Sequence, residues 1–256
     1  MDAFTGGQQP GQGPNSPHQP VFEKPMNQNK VYSRTFLFFG LALLITGCTA
    51  LLGAWLLGIG VNPIAYYIAI GVSSIGIFIL SLVISFKGYT MGNGLIVPYI
   101  LYSLFMGILL SGCTFWVSQA PYVFGLVLIL TAALFLLMCG IGLVIGKHVG
   151  VLGTLLIGAL IGSAIIGLIS FFTFPLMLAG NESLIPLFYI GEFVFIFVLL
   201  LYVAIDMFAL KRLAESNTLV STNMCIFFAL RLYSDFITIL IRILRIVAIA
   251  LANKDN

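Results

Sequence analysis

Six charged side chains fall inside strongly apolar stretches in the last third of the chain. Three are acidic and three are basic: Glu192, Asp206, Asp235, Arg231, Arg242 and Arg245. Only 7% of the 256 residues are charged, and moving an ionisable group into hydrocarbon is costly. An apolar segment that keeps such groups usually uses them, so these six are the candidates for chemistry.

Two of the acidic residues belong to one apolar run, 184–210. Glu192 and Asp206 are 14 positions apart, which on a helix returns them to nearly the same face about 21 Å apart along the axis. Glu192 is expected near the outer end, where it could attract cations. Asp206 lies one turn from Lys211 and Arg212, and both solvation beside Lys211 and a functional role are open for it.

The remaining four charges lie in the last apolar run. Arg231, Asp235 and Arg242 share one stripe of a helix, with Arg245 to one side. Such a stripe must face protein or a water-filled cavity, which predicts a central last helix. A structural interpretation pairs Arg231 with Asp235 one turn away and extends Arg242 or Arg245 to the outer interface. For Asp235, near the middle of the run, a functional role is favoured.

The composition indicates which elements hold these residues. The chain is 61% hydrophobic, whereas a soluble domain carries about 25% charged residues, so it predicts an α-helical integral membrane protein. Seven apolar runs exceed the roughly 20 residues that cross a bilayer, and in lipid they must be helices. The runs are 36–59, 64–86, 95–118, 121–146, 149–174, 184–210 and 223–251. The predicted fold is all-α, with seven transmembrane helices and the last one surrounded by the other six.

The segments outside these runs predict the domain organisation and the orientation. Gly, Pro, Gln and Asn dominate residues 1–30, a composition typical of disorder. We therefore predict a disordered cytoplasmic tail at 1–35, a transmembrane domain at 36–251 and a short carboxyl-terminal tail at 252–256. Lys and Arg occur in the first tail and in the second, fourth and sixth breaks between runs, and not in the first, third and fifth. By the positive-inside rule the amino terminus faces the cytoplasm.

Several functions are disfavoured by what the sequence lacks. It contains no P-loop, GxSxG, HExxH or dinucleotide fingerprint, so we expect no enzyme and no cofactor. The four cysteines form no CxxC spacing, which disfavours a zinc site. A net charge of +3 is too small to indicate nucleic-acid binding. GxxxG spacings such as Gly142/Gly146 indicate packing within the chain, so a monomer is favoured, with membrane lipid as its surroundings.

One segment of the last run resembles a known family. "ALRLYSDFITILIRILRIV" (229–247) resembles the closing helix of the transmembrane Bax inhibitor motif, or Bax inhibitor-1-like, family in its bacterial type. The matching positions are Leu232, Tyr233, Asp235, Phe236, Ile237, Leu244 and Arg245. "VLLLYVAIDMFALKRLA" (198–214) looks like the end of the family's sixth helix, with Asp206 at the place of its aspartate. Residues 131–169 are similar to the fourth and fifth helices.

The resemblance implies a mechanism. In bacterial members, two aspartates on the last two helices share a proton and gate a calcium leak; here they would be Asp206 and Asp235. Two carboxylates in contact cannot both ionise cheaply, and losing the proton leaves hard oxygen ligands suited to Ca²⁺ as a permeant or bound ion. Members can carry an arginine on the second helix beside this pair. The run 64–86 has no basic residue, which leaves Arg231 as the candidate substitute.

Two hypotheses of different classes follow. The first is a pH-sensitive passive calcium leak channel in a bacterial inner membrane, with Asp206 and Asp235 as sensor and gate. The predicted run boundaries misplace these two residues by about 12 Å in depth, so contact requires an asymmetric turn. The alternative is a membrane scaffold that binds a protease or a survival factor and transports nothing. A small-solute transporter is disfavoured because no inverted repeat is evident.

Overall fold

A computed structural model describes six stretches of the chain, all of them mainly helical. They are residues 27–60, 62–87, 95–117, 121–144, 185–216 and 220–252. They contain six α-helices and no strand. The helices are α1 (Gln28–Gly58), α2 (Pro63–Lys87), α3 (Ile96–Val117), α4 (Pro121–Val144), α5 (Ile185–Glu215) and α6 (Thr222–Ala252). The predicted all-α class is confirmed for this part of the chain.

The lengths of these helices fit a bilayer. Five of them are long and apolar enough to cross a membrane, while the apolar part of α3, Ile96–Gly112, is shorter. The predicted run at 149–174 lies outside the described residues, so the count of seven spans stays a prediction. The helices α5 and α6 correspond to the sixth and seventh predicted runs.

The last helix is the most buried of the membrane-crossing helices described. The buried share of its most apolar stretch is 67%, compared with 44% or less in the other four that can cross a membrane. It packs against α1, α3, α4 and α5. The outer helices instead expose large apolar side chains such as Leu44, Trp55 and Ile129, as expected where a helix faces lipid. A central position for α6 among the described helices follows.

The turn between α1 and α2 shows how local sequence ends a span. Gly60 has a φ of +83°, a conformation that glycine adopts at little steric cost. The Asn62 side chain then caps α2, because its Oδ1 accepts a hydrogen bond from the Ile64 backbone N–H at 3.0 Å. Pro63 is the first residue of the helix, where its missing N–H is of no consequence.

The first helix begins earlier than the apolar pattern predicts. It starts at Gln28 instead of residue 36, so part of the predicted disordered tail is helical. Val31 and Thr35 are fully buried, and Arg34 Nη1 donates a hydrogen bond to Thr222 Oγ1 at 2.8 Å. Polar residues interrupt the hydropathy here, but packing against the start of α6 extends the helix. Residues 1–26 lie outside the described residues.

The ends of α5 and α6 decide how their side chains align. The helix α5 continues to Glu215, past the predicted end at 210, because "KRLAE" is polar but consists of good helix formers. Asp206 therefore lies nine residues from the end of α5, and Asp235 lies thirteen residues from the start of α6. The mismatch in depth falls from about 12 Å to roughly 6 Å.

A close approach between α4 and α5 depends on a single glycine. A Cβ on Gly142 would overlap the Ala204 carbonyl oxygen and come within 2.9 Å of the Met207 Cβ. The Lys211 ammonium donates to the Leu143 carbonyl oxygen at 2.6 Å, which satisfies one of the unpaired carbonyl groups at the end of α4. The carboxyl-terminal ends of α4 and α5 therefore lie side by side.

Gly142→Ala is expected to destabilise the protein by about 1–3 kcal/mol, because overpacking forces α4 and α5 apart. Gly140→Ala is the matched control, since a Cβ there meets nothing within 4 Å. That variant should be neutral or slightly stabilising through helix propensity. Denaturant unfolding of both variants in the same mild detergent measures the difference. Equal stabilities would contradict the close approach at Gly142.

Candidate functional site

Asp206 is a buried acid held by an arginine from the next helix. It lies on the buried face of α5 and is 2% exposed. Arg231 of α6 reaches it with an Nη2–Oδ1 distance of 2.7 Å, while 46% of the arginine side chain remains exposed. The prediction that Arg231 forms its ion pair with Asp235 is therefore wrong, because the ion pair is with Asp206. Lys211 binds the α4 carbonyl instead of this carboxylate, which leaves Arg231 as the cation paired with Asp206.

Asp235 completes this group. Its carboxyl lies within hydrogen-bonding reach of the Asp206 carboxyl, so the structure brings the two predicted aspartates together. Asp235 Oδ2 is buried and accepts no hydrogen bond from the described residues. We call Asp206, Arg231 and Asp235 the aspartate–arginine cluster. Two ionised carboxylates both accept hydrogen bonds, so they can bond to each other only when a proton lies between them.

The charge of this cluster depends on that proton. With both carboxylates ionised it carries one negative charge, and with one proton bound it is neutral. Other ionisable side chains lie close enough to interact with the aspartates: Tyr102 of α3, Cys139 of α4 and Tyr202 of α5. The arrangement can therefore bind and release a single proton inside the bundle.

Hydroxyl groups that the charge pattern did not reveal surround the cluster. The Tyr102 and Ser234 hydroxyls are 3.2 Å apart and hydrogen bond to each other. One residue before Ser234, the fully buried Tyr233 hydrogen bonds to Thr46 of α1, and Thr46 Oγ1 donates to the Ser103 carbonyl oxygen at 3.0 Å. Hydroxyl residues within apolar runs are the sequence signal for such contacts, because helices in lipid use them to join to one another.

A second cluster of charges lies farther along the same two helices. Glu192 has no exposed surface and accepts hydrogen bonds from Arg242 Nη1 at 2.8 and 2.9 Å and from Arg245 Nη1 at 3.1 Å. Arg242 also lies over the Phe195 ring, 3.8 Å from its centroid, a cation–π contact. We call Glu192, Arg242 and Arg245 the Glu192 cluster.

This geometry corrects two expectations from the sequence. Arg242 and Arg245 do not extend to the outer interface but bind a carboxylate on α5. Glu192 is not available to attract a cation, because two guanidinium groups already neutralise it. Both expectations considered partners on one helix or in solvent, whereas the true partners are about 50 residues apart in the chain.

The described residues contain no group of three or more His, Cys, Asp or Glu side chains that could hold a metal ion. Calcium takes six to eight oxygen ligands, and Asp206 with Asp235 would supply at most four oxygens, of which one is bound to Arg231.

Comparison with known proteins identifies the family. The family described as "Inhibitor of apoptosis-promoting Bax1" (Bax1-I) matches residues 28–254. This chain belongs to the Bax inhibitor-1-like family. The predicted resemblance is confirmed, and with the apolar helices it indicates a multi-pass integral membrane protein. None of the curated proteins compared with the chain matches it.

In this Bax inhibitor-1-like chain the arginine beside the two aspartates comes from α6. No Lys or Arg precedes Lys87 in α2, so the second helix offers no guanidinium to the aspartates. Arg231 comes from the same helix as Asp235, one turn before it, and binds Asp206 across the interface between α5 and α6.

Proposed function

We propose that this protein is a passive calcium leak channel whose conductance depends on pH, and that it is not an enzyme. Asp206 and Asp235 form the sensor and the gate. The observation that carries the proposal is the pair of carboxyl groups from consecutive helices, within hydrogen-bonding reach inside the bundle, with Arg231 on one of them. Membership of the Bax inhibitor-1-like family supports it.

Binding and release of one proton control the proposed gate. While it is bound, the two carboxyl groups hydrogen bond and hold α5 against α6. When it leaves, two negative charges face each other in a medium where they interact more strongly than in water. Arg231 compensates only one of them. The repulsion separates the helices, so conductance rises as pH rises.

Calcium enters this scheme as the permeant ion. Release of the proton exposes carboxylate oxygens with a net negative charge, which attracts a hard divalent cation into the bundle. Arg231 limits the strength of that attraction because it remains beside Asp206. A site that binds weakly lets the ion leave again, which conduction requires.

We also propose that the amino terminus faces the cytoplasm and that the chain crosses the membrane seven times. Arg34 contacts the start of α6, and Lys211 and Arg212 lie near the end of α5, so basic residues gather at one end of the bundle as the positive-inside rule requires. The carboxyl-terminal ends of α4 and α5 lie together. Two helices that cross the membrane in the same direction need one further crossing between them, so we expect one between α4 and α5.

The test is Ca²⁺ flux into liposomes that contain the purified full chain. Between pH 6 and pH 8 we expect flux to rise by about an order of magnitude, as one shared proton is lost. Protein-free liposomes of the same lipid, measured at each pH, are the control. Flux no greater than the control at any pH would overturn the proposal and favour the membrane scaffold.

A further inference from the structure

A cavity of about 390 Å³ lies among α2, α3 and α6, next to Arg231. This volume is in the range of small-ligand sites. Its lining has a polar part and an apolar part. Arg231, Ser234 and Tyr102 bring a positive charge and hydroxyl groups, whereas Ile84, Phe227 and Leu230 bring apolar surface. A ligand that fills it should therefore have an anionic part and an apolar part.

The polar wall can donate hydrogen bonds to a ligand without giving up its contacts in the protein. A guanidinium has five N–H groups, and Arg231 binds Asp206 through Nη2 while nearly half of its side chain stays exposed. The Tyr102 and Ser234 hydroxyls share one hydrogen bond, which uses one of their two hydrogens and leaves the other for a ligand. A planar, doubly donating guanidinium suits phosphate oxygens.

The cavity lies toward the basic end of the bundle, just inside the hydrocarbon core. Ser81, which also lines it, is six residues before the end of α2 at Lys87, or roughly 9 Å along the axis. Arg231 is nine residues after the start of α6, or roughly 14 Å. Since α6 has 31 residues, it exceeds the bilayer core by roughly 8 Å at each end. Arg231 then lies roughly 6 Å inside the core at this end, and its guanidinium is held beside Asp206. A lipid phosphate therefore meets it where the bilayer thins locally beside the charged residue.

We propose that this cavity binds the headgroup of an anionic phospholipid from the leaflet at the basic end of the bundle. Arg231 and the hydroxyl pair of Tyr102 and Ser234 hold the phosphate, and the apolar wall takes the beginning of an acyl chain. The charge of the guanidinium selects an anionic lipid over a zwitterionic one. The site shares Arg231 with the aspartate–arginine cluster, but lipid binding is measured without any calcium flux, so its failure and that of the channel are distinguishable.

The experiment counts lipids bound to the purified full chain by native mass spectrometry in a neutral detergent. Phosphatidylglycerol, phosphatidylcholine and free glycerol phosphate are titrated separately. We expect phosphatidylglycerol to bind about tenfold more tightly than phosphatidylcholine, because both phosphates accept a hydrogen bond from Arg231 but only phosphatidylcholine brings a quaternary ammonium that the guanidinium repels, and glycerol phosphate not to bind measurably. Equal affinity for the two lipids would overturn the proposal. Glycerol phosphate binding as tightly as phosphatidylglycerol would show a soluble anion site instead of a lipid site.

Two variants locate the site. Arg231→Gln should remove the tenfold preference, and Ser81→Leu should block the cavity and weaken both lipids while keeping every charge. Arg212→Gln is the matched control, because that arginine is exposed at the end of α5 and does not line the cavity; it should bind both lipids as the wild type does. If Arg231→Gln does not fold, Ser81→Leu decides the matter alone. Wild-type affinity in Ser81→Leu would overturn the proposal.

Discussion

Asp235→Asn is expected to hold calcium flux at the wild-type pH 6 level across the whole range from pH 6 to 8. The amide has nearly the shape of the carboxyl group and donates a hydrogen bond to Asp206 at every pH. The contact between α5 and α6 then no longer depends on a proton. At pH 8 the variant should conduct about tenfold less than the wild type, which loses its shared proton there. Liposome flux at four or five pH values measures this directly.

The corresponding substitution on α5 tests whether the pH sensor is the pair of aspartates or a single aspartate that titrates alone. Asp206→Asn leaves Asp235 without a second carboxylate to repel, so its flux should also be independent of pH. Glu215→Gln is the control: it removes one acid from the same helix at an exposed position and should keep the wild-type profile. A normal pH profile in either aspartate variant would place the sensor elsewhere in the molecule.

The sequence predicts the positions of the aspartates well because lipid leaves few alternatives. An acidic side chain in an apolar run must face protein, and helical periodicity then fixes its face. The contact between Asp206 and Asp235 was harder to foresee, because it depends on where two helices end. Hydropathy ended the sixth run at 210, whereas packing and helix propensity carry α5 to Glu215. The five residues 211–215, three of them charged, account for the change in depth.

The partners of the arginines could not be predicted for a different reason. Neighbours within one helix can be read from a spacing of three or four residues, but neighbours between helices depend on how the bundle packs. Arg231 had Asp235 one turn away and binds Asp206 instead. Arg242 binds an acid 50 residues earlier in the chain. Only the arrangement of α5 beside α6 decides such pairs.

The Glu192 cluster should dominate the stability of the contact between α5 and α6 at the end away from Asp206. Glu192→Met is expected to lower the free energy of unfolding by about 3–5 kcal/mol, because it leaves two arginines without the buried carboxylate that they share. The effect should exceed that of Gly142→Ala. Unfolding in mild detergent measures it, with Glu215→Gln as a control that should change stability by less than about 0.5 kcal/mol.

A double variant distinguishes the loss of an ion pair from the loss of packing. When one partner of a buried ion pair is removed, most of the cost comes from the charge left behind, so removing both partners often restores stability. Glu192→Met combined with Arg242→Met should therefore be more stable than Glu192→Met alone. The remaining arginine, Arg245, has a side chain that is 27% exposed and can turn toward the water at the membrane surface. If the double variant is less stable than the single one, Arg242 stabilises the fold mainly through its stacking on Phe195. The carboxylate would then be a minor part of the contact between α5 and α6.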